Sequence, residues 1–248
     1  GITNTVLGHS LTLNGTGTMS NTSVGIGKSV SVGTLSVSGA QSSNYTLVGG
    51  THTIDVNPRT TNASGTRHYD GTTIAGSSAF STFSNSVGGD TITLSGTGSI
   101  ASAGIGSKGV TIGSLQSAHT NYVLGNATLI VTKRPVNLFG NRIHDGNTDV
   151  QASELSFGNL AGSETLSLTG LGTIPSSRIG SQTINLNTLV MGNGSGSINN
   201  YTFSGGTFIF RIISPLPPAN SKAGVLLALK SLSNGNKRKL LPSKTSHR

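Results

Sequence analysis

The sequence predicts an all-β protein built from tandem small Ig-like β-sandwich modules and ending in a disordered basic tail. Three observations carry this reading. Blocks of sequence return in a fixed order with a period of about 75–80 residues. Within each block apolar and polar residues alternate with period two, as on a strand with one buried face, and no helical period is present. Gly-rich stretches punctuate the apolar runs every 8–12 residues or so, the spacing of sandwiches and barrels.

The repeat divides the chain into a truncated module at 1–58, complete modules at 59–133 and 134–212, and a tail at 213–248. A complete module opens with Arg59 to Gly71, which aligns without a gap on Arg134 to Gly146. Asn62, Gly65, Arg67, Asp70 and Gly71 match Asn137, Gly140, Arg142, Asp145 and Gly146. Asp70-Gly71 and Asp145-Gly146 are hairpin-turn dipeptides, because both residue types tolerate positive φ. Next comes Leu94-Ser95-Gly96-Thr97-Gly98, matched by Leu13-Asn14-Gly15-Thr16-Gly17 and Leu168-Thr169-Gly170-Leu171-Gly172. Gly104-Ile105-Gly106 then matches Gly25-Ile26-Gly27 and Arg178-Ile179-Gly180.

Strands of period two follow at Ser29 to Val32, Val110 to Ile112 and Ile184 to Leu186. Asn121-Tyr122-Val123-Leu124 matches Asn44-Tyr45-Thr46-Leu47 and Asn200-Tyr201-Thr202-Phe203. Each module closes on a β-rich run at Thr53 to Val56, Leu129 to Thr132 or Phe208 to Phe210, with the Val, Ile, Thr and Phe that suit a pleated surface. Six or seven short strands are expected per complete module. Short links at Pro58-Arg59 and Arg134-Pro135 are expected to restrict bending. The first module has no counterpart of Arg59 to Ser86, because its Val6-Leu7-Gly8 aligns with Val87-Gly88-Gly89. It is therefore expected to be the least ordered part of the body, or to borrow a strand, and the chain reads as a piece of a longer one.

Tyr45, Tyr122 and Tyr201 each follow Asn and precede a short apolar strand, the setting of a tyrosine corner whose hydroxyl returns to backbone. Their role is read as structural, as is that of Asp70, Gly71, Asp145 and Gly146. Ligand stacking by an exposed Tyr is the rival reading.

These blocks resemble the YDG/MBG-type repeats of filamentous-haemagglutinin-like bacterial surface adhesins. The residues that carry the likeness are Tyr69-Asp70-Gly71-Thr72-Thr73, Gly89 to Gly96, Gly104-Ile105-Gly106 and Asn121-Tyr122-Val123-Leu124. It covers nearly all of residues 1–212. The third module departs from it with His144-Asp145-Gly146, which removes any role of a Tyr ring there. The resemblance implies non-catalytic β-modules in a secreted or outer-membrane-associated stalk, exported with a two-partner secretion partner. Host-cell glycans or receptors would be reached through other parts of the parent chain. β-Grasp-like modules and a parallel β-helix are the alternative folds; the first lacks its helix here, and the second has a shorter repeat.

Composition narrows function further. The chain has 248 residues, 36 Gly, no Cys and no Trp, and only 9% charged residues. Without Cys, disulfides, thiolate zinc and thiol catalysis are excluded. The net charge of +9 belongs to the tail: through Arg211 nine Lys/Arg face all seven acids, and the remaining seven basic residues follow without an acid. So the body lacks the basic face of a nucleic-acid binder. The longest aliphatic run, Val225 to Leu229, is far short of a membrane span of about 20 residues.

Candidate sites are few. Gly104 to Gly109 fits GxGxxG, but a strand-like segment follows it instead of a helix. Gly27-Lys28-Ser29 lacks the first Gly of a phosphate loop, since Thr22 stands there. Glu154 and Glu164 are the only Glu residues, and nothing marks a cleft between them. His9, His52, His68, His119 and His144 read as solvated loop residues. Asp70 or Asp145 alone makes a weak calcium site. No cofactor and no metal is expected. In the tail, Pro215, Pro217 and Pro218 break strands, Ser221 to Leu232 has the pattern of a short amphipathic helix, and Lys237-Arg238-Lys239 adds charge; disorder is expected throughout.

Overall fold

The computed structural model describes residues 1–215, and the expectations for the tail beyond Pro215 lie outside the described residues. The chain forms two compact units, Gly1–Thr132 and the part from Lys133 onward. The described residues are all-β, with short 3-10 turns between strands.

The first module has β1 (Thr12–Asn14), β2 (Thr18–Met19), β3 (Gly25–Ser31), β4 (Ser36–Ser38) and β5 (Thr53–Val56). β1 and β4 form an antiparallel ribbon, and β2-β3-β5 form a three-stranded sheet.

The second module, within the same compact unit, begins with β6 (Arg59–His68), β7 (Ile74–Gly76) and β8 (Phe80–Phe83). It continues with β9 (Leu94–Ser95), β10 (Thr97–Ile100), β11 (Gly106–Thr111), β12 (Gln116–Ser117) and β13 (Tyr122–Thr132). Six of these strands form one sheet in the order β7-β10-β11-β13-β6-β8. Its centre is a parallel pair: the first and last strands of the module run side by side from Arg59↔Tyr122 to His68↔Thr132. All other pairs in the sheet are antiparallel.

The edge strands β7 and β8 are joined only by the 3-10 turn Ser77–Ala79. Three residues span at most about 10 Å, whereas the edges of a flat six-stranded sheet lie about 24 Å apart. The sheet must therefore curl into a half-barrel. A ribbon of β9 and β12 lies outside this ladder.

The third module holds β14 (Arg134–Pro135), β15 (Leu138–Ile143), β16 (Asp149–Gln151), β17 (Leu155–Phe157) and β18 (Leu166–Thr169). It ends with β19 (Leu171–Thr173), β20 (Gly180–Thr183), β21 (Val190–Asn193), β22 (Tyr201–Thr202) and β23 (Phe208–Ile213). The plan repeats: the sheet order is β17-β15-β23-β20, and β15 and β23 pair in parallel from Leu138↔Phe208 to Ile143↔Ile213. A bridge between Thr173 and Asn185 stands where β10 pairs with β11 in the second module. β16–β19 and β18–β21 form ribbons. The core joins Leu138, Phe210 and Ile212 of the main sheet, and Ile184 just after β20, to Val150 of β16, Ile174 and Leu189.

The central parallel pair is a feature of β-grasp-like modules, but no α-helix is present among the described residues. Every ladder closes within its own module instead of running on as stacked coils. The complete modules carry eight and ten strand segments where six or seven were expected. The third module has more segments than the second because its long strands are broken: β14 and β15 stand where β6 is one strand, and β22 and β23 where β13 is one strand.

The repeated Leu-x-Gly-x-Gly block has a steric cause. Gly15, Gly96 and Gly170 have φ of 87°, 82° and 97°. A Cβ at these positions would lie 2.2, 2.1 and 2.1 Å from the carbonyl oxygens of Thr34, Ser114 and Thr188, so no side chain fits. The hydroxyls of the same three residues accept from Thr16, Thr97 and Leu171 N–H at 3.0 Å, which locks the block onto the next turn.

Candidate functional site

The recurring Tyr residues sit where a turn, a hydroxyl and one side chain meet. Val87 and Asp90 form a turn, with Asp90 N–H donating to Val87 C=O at 3.0 Å. Tyr122 accepts from Val87 N–H at 2.8 Å and donates to Asp90 Oδ2 at 2.6 Å. In the third module Tyr201 accepts from Ala161 N–H at 3.0 Å and donates to Glu164 Oε2 at 2.5 Å. In the first module Tyr45 accepts from Val6 N–H at 2.9 Å, and His9 Nδ1 lies 2.7 Å from its hydroxyl. The spacing from the N–H donor to the side-chain partner is the same in all three.

Hydrogen bonding and burial shift the ionisation of Tyr122 and Tyr201. The Asp90 carboxylate holds the Tyr122 proton and raises its pKa, against the lowering effect of Val87 N–H. For Tyr201 burial is the larger cause of a raised pKa and the Glu164 bond the second. A hydroxyl bound on both sides to its own module serves the module. Asn44, Asn121 and Asn200 each lead into a Tyr, and Asn121 Oδ1 also accepts from Val24 N–H at 2.9 Å, which ties the first module to the second.

The Asp-Gly pairs form a different kind of turn from the one expected. Gly71 and Gly146 have positive φ, 77° and 82°. Asp70 Oδ1 accepts from Thr72 N–H at 2.9 Å, and Asp145 Oδ1 from Asn147 N–H at 3.0 Å. These are Asx turns. They are not hairpins, because the strands they join never pair: β6 lies beside β8 and β13, while β7 lies beside β10 on the far edge.

An arginine organises each of these loops. Arg67 Nη1 donates to Asp70 Oδ2 at 2.7 Å and to Ile74 C=O at 2.6 Å, and Nη2 donates to Thr72 C=O at 2.6 Å. Arg142 Nη1 donates to Asp149 C=O at 2.5 Å, Nη2 donates to Asn147 C=O, and the guanidinium lies 5.5 Å from the centre of the Phe210 ring. The residue before Asp differs between modules. Tyr69 is buried and His144 exposed, yet each donates its N–H to the last strand, to Thr132 and Ile213. The backbone role survives where the ring role is lost.

The remaining chemistry-bearing residues fall to local structure as well. Glu154 Oε2 accepts from Gln151 N–H at 2.8 Å, closing a capping box, and Glu164 holds Tyr201. The reading of the histidines as solvated is corrected for three of them. His9, His52 and His119 are half-buried: His9 meets Tyr45, His52 Nε2 lies 2.8 Å from Leu47 C=O, and His119 Nδ1 accepts from Asn121 N–H at 3.2 Å. Gly27-Lys28-Ser29 lies within β3, and β11 begins at Gly106, so neither glycine pattern opens a helix. Among the described residues no group of three or more His, Asp or Glu is placed to hold a metal ion. A shallow depression of the second module is lined by Ser77, Ser78, Phe80, Ser81, Phe83 and Ile92, which supply hydroxyls and no ionisable group. No helix of the described residues is long and apolar enough to cross a membrane.

Sequence reasoning missed Arg67, Arg142, His9, Asp90 and Glu164 as partners. The gap-free match of Arg67 to Arg142 was a usable signal. His9, Asp90 and Glu164 share a position but not a residue type, which hides it.

The family model of the YDG domain matches residues 1–54 and 51–129. No curated protein matches the chain. No solved structure matches it.

Proposed function

The chain belongs to the YDG domain family, and from that premise we propose that it is a non-catalytic spacer: stalk repeats of a secreted or surface-exposed bacterial adhesin of the filamentous-haemagglutinin-like kind. One observation carries the reading. In both complete modules the first and last strands run parallel. The chain thus enters a module at one end of the central pair and leaves at the other, so each module adds length. The links are short: β5 ends at Val56 and β6 starts at Arg59, while β13 ends at Thr132 and β14 starts at Arg134. The side chains of Tyr122, Tyr201, Arg67, Arg142, Glu154 and Glu164 are taken up by bonds within their own modules. Glycans or receptors are then contacted by other parts of the parent chain, and export uses a two-partner system.

A binding module is the second reading, favoured by Phe139 and Ile209. These residues are paired neighbours in β15 and β23 and are 52% and 44% exposed. A glycan array and host-cell binding screen with the chain separates the two. No saturable binding is expected. Saturable binding abolished by Phe139→Ser replaces the spacer reading with the second one.

A further inference from the structure

The sheet β2-β3-β5 stops at β5, where the sheets of the other modules continue. The antiparallel side fixes the equivalence: Lys28↔Ile54, Lys108↔Leu129 and Gln182↔Phe210 are matching pairs. Beyond them, Leu129 pairs in parallel with Gly65, and Phe210 with Gly140. Nothing among the described residues pairs on that side of Ile54. Ile54 is 48% exposed, whereas Leu129 and Phe210 are 0% exposed. Val30 N–H donates to His52 C=O at 2.8 Å. Backbone alternation therefore turns the N–H groups of Thr53 and Asp55 to the open edge. An unpaired edge beside exposed apolar surface is a template for another strand.

We propose that the β5 edge, Thr53–Val56, is a docking site for one extended polypeptide segment in parallel register, with the chemistry of a YDG module's first half. The chain shows that chemistry in Arg59 to Phe83. A Gly stands opposite the core position, because the following 3-10 turn crosses there. A Cβ on Gly65 would lie 1.8 Å from Ala79 C=O, and one on Gly140 2.2 Å from Glu154 C=O. An Arg two residues later, Arg67 or Arg142, holds the Asp-Gly loop. Both filled examples are parallel, which sets the direction. A second copy with closed modules is a poor occupant, because β6 and β15 are already paired on both edges.

The test uses the 248-residue chain and a fluorescein-labelled peptide of the sequence Arg59 to Phe83. Fluorescence anisotropy is expected to show saturable one-to-one binding, and the amides of Thr53 and Asp55 to exchange about tenfold or more slowly in the complex. Thr53→Pro in the chain is expected to abolish binding while exchange in β11 and β20 stays unchanged, which shows the rest still folded. A Gly65→Val peptide should bind at least about tenfold more weakly. The proposal is overturned by absence of binding, by equal binding of a scrambled peptide, or by undiminished binding to the Thr53→Pro chain. Protection of Thr53–Val56 through dimers of the chain alone would also overturn it, by making a second copy the occupant.

Discussion

The first and third modules share their second half and differ in their first. Both keep the Leu-x-Gly-x-Gly block, the antiparallel ribbon whose first strand runs into it and the Tyr turn. Yet no residue of 1–58 is buried, while Leu138, Val150, Phe210 and Ile212 of the third module are fully enclosed. In the second and third modules the first half supplies the strand beside the position of Ile54, as β6 does for Leu129 and β15 for Phe210. Local turns therefore form from local sequence, and the core forms only when both halves meet.

The largest expected difference between these regions is in packing. Phe210→Ala should destabilise the third module by about 3–5 kcal/mol, the cost of a large cavity in a core. Ile54→Ala in the first module should change stability by less than about 1 kcal/mol, because its side chain already meets water. Urea unfolding of each variant, followed by hydrogen exchange resolved to single modules, measures both. Equal losses would mean that Ile54 is covered in solution and the two modules are alike.

A smaller difference is expected at the hydroxyls. Tyr201→Phe leaves the buried Ala161 N–H without its acceptor and should cost about 1–3 kcal/mol. Tyr45→Phe leaves Val6 N–H beside solvent and should cost under about 1 kcal/mol. A Tyr45 effect as large as that of Tyr201 would break the comparison.

The smallest effect is on pH dependence. Tyr122 and Tyr201 have raised folded-state pKa values. A raised value means that the folded state holds the proton more tightly. The contribution to stability is full below the unfolded tyrosine pKa of about 10 and is lost as pH rises through the folded values. Tyrosinate absorbance should lose amplitude above about pH 10 in Tyr122→Phe and again in Tyr201→Phe. Ionisation of Tyr122 and Tyr201 at about pH 10 would contradict the bonds to Asp90 and Glu164.

The all-β class and the repeat were legible because alternation and scarce residues such as Tyr and Asp recur at fixed intervals. Tyr122 and Tyr201 stood out in the sequence for the same reason. The parallel pairing was not. β6 presents Ala63 and Gly65 inward among Thr, Asn and Ser, so its apolar signal is faint, and its partner lies more than 60 residues away. The Asp-Gly pairs were read as hairpins because a dipeptide reports its own φ and not what its flanking strands pair with. The partners of the Tyr hydroxyls, His9, Asp90 and Glu164, were hidden because His, Asp and Glu can each reach a hydroxyl, so one position tolerates three residue types.

The parallel central pair has a mechanical consequence. Pulling a complete module by its two ends slides β6 along β13 and loads their hydrogen bonds together, across a ladder about 30 Å long. An antiparallel terminal pair would instead open like a zipper, one bond at a time. The second and third modules are therefore built to bear tension along the chain, and the first, whose last strand pairs with no parallel strand among the described residues, is where an applied force is least resisted.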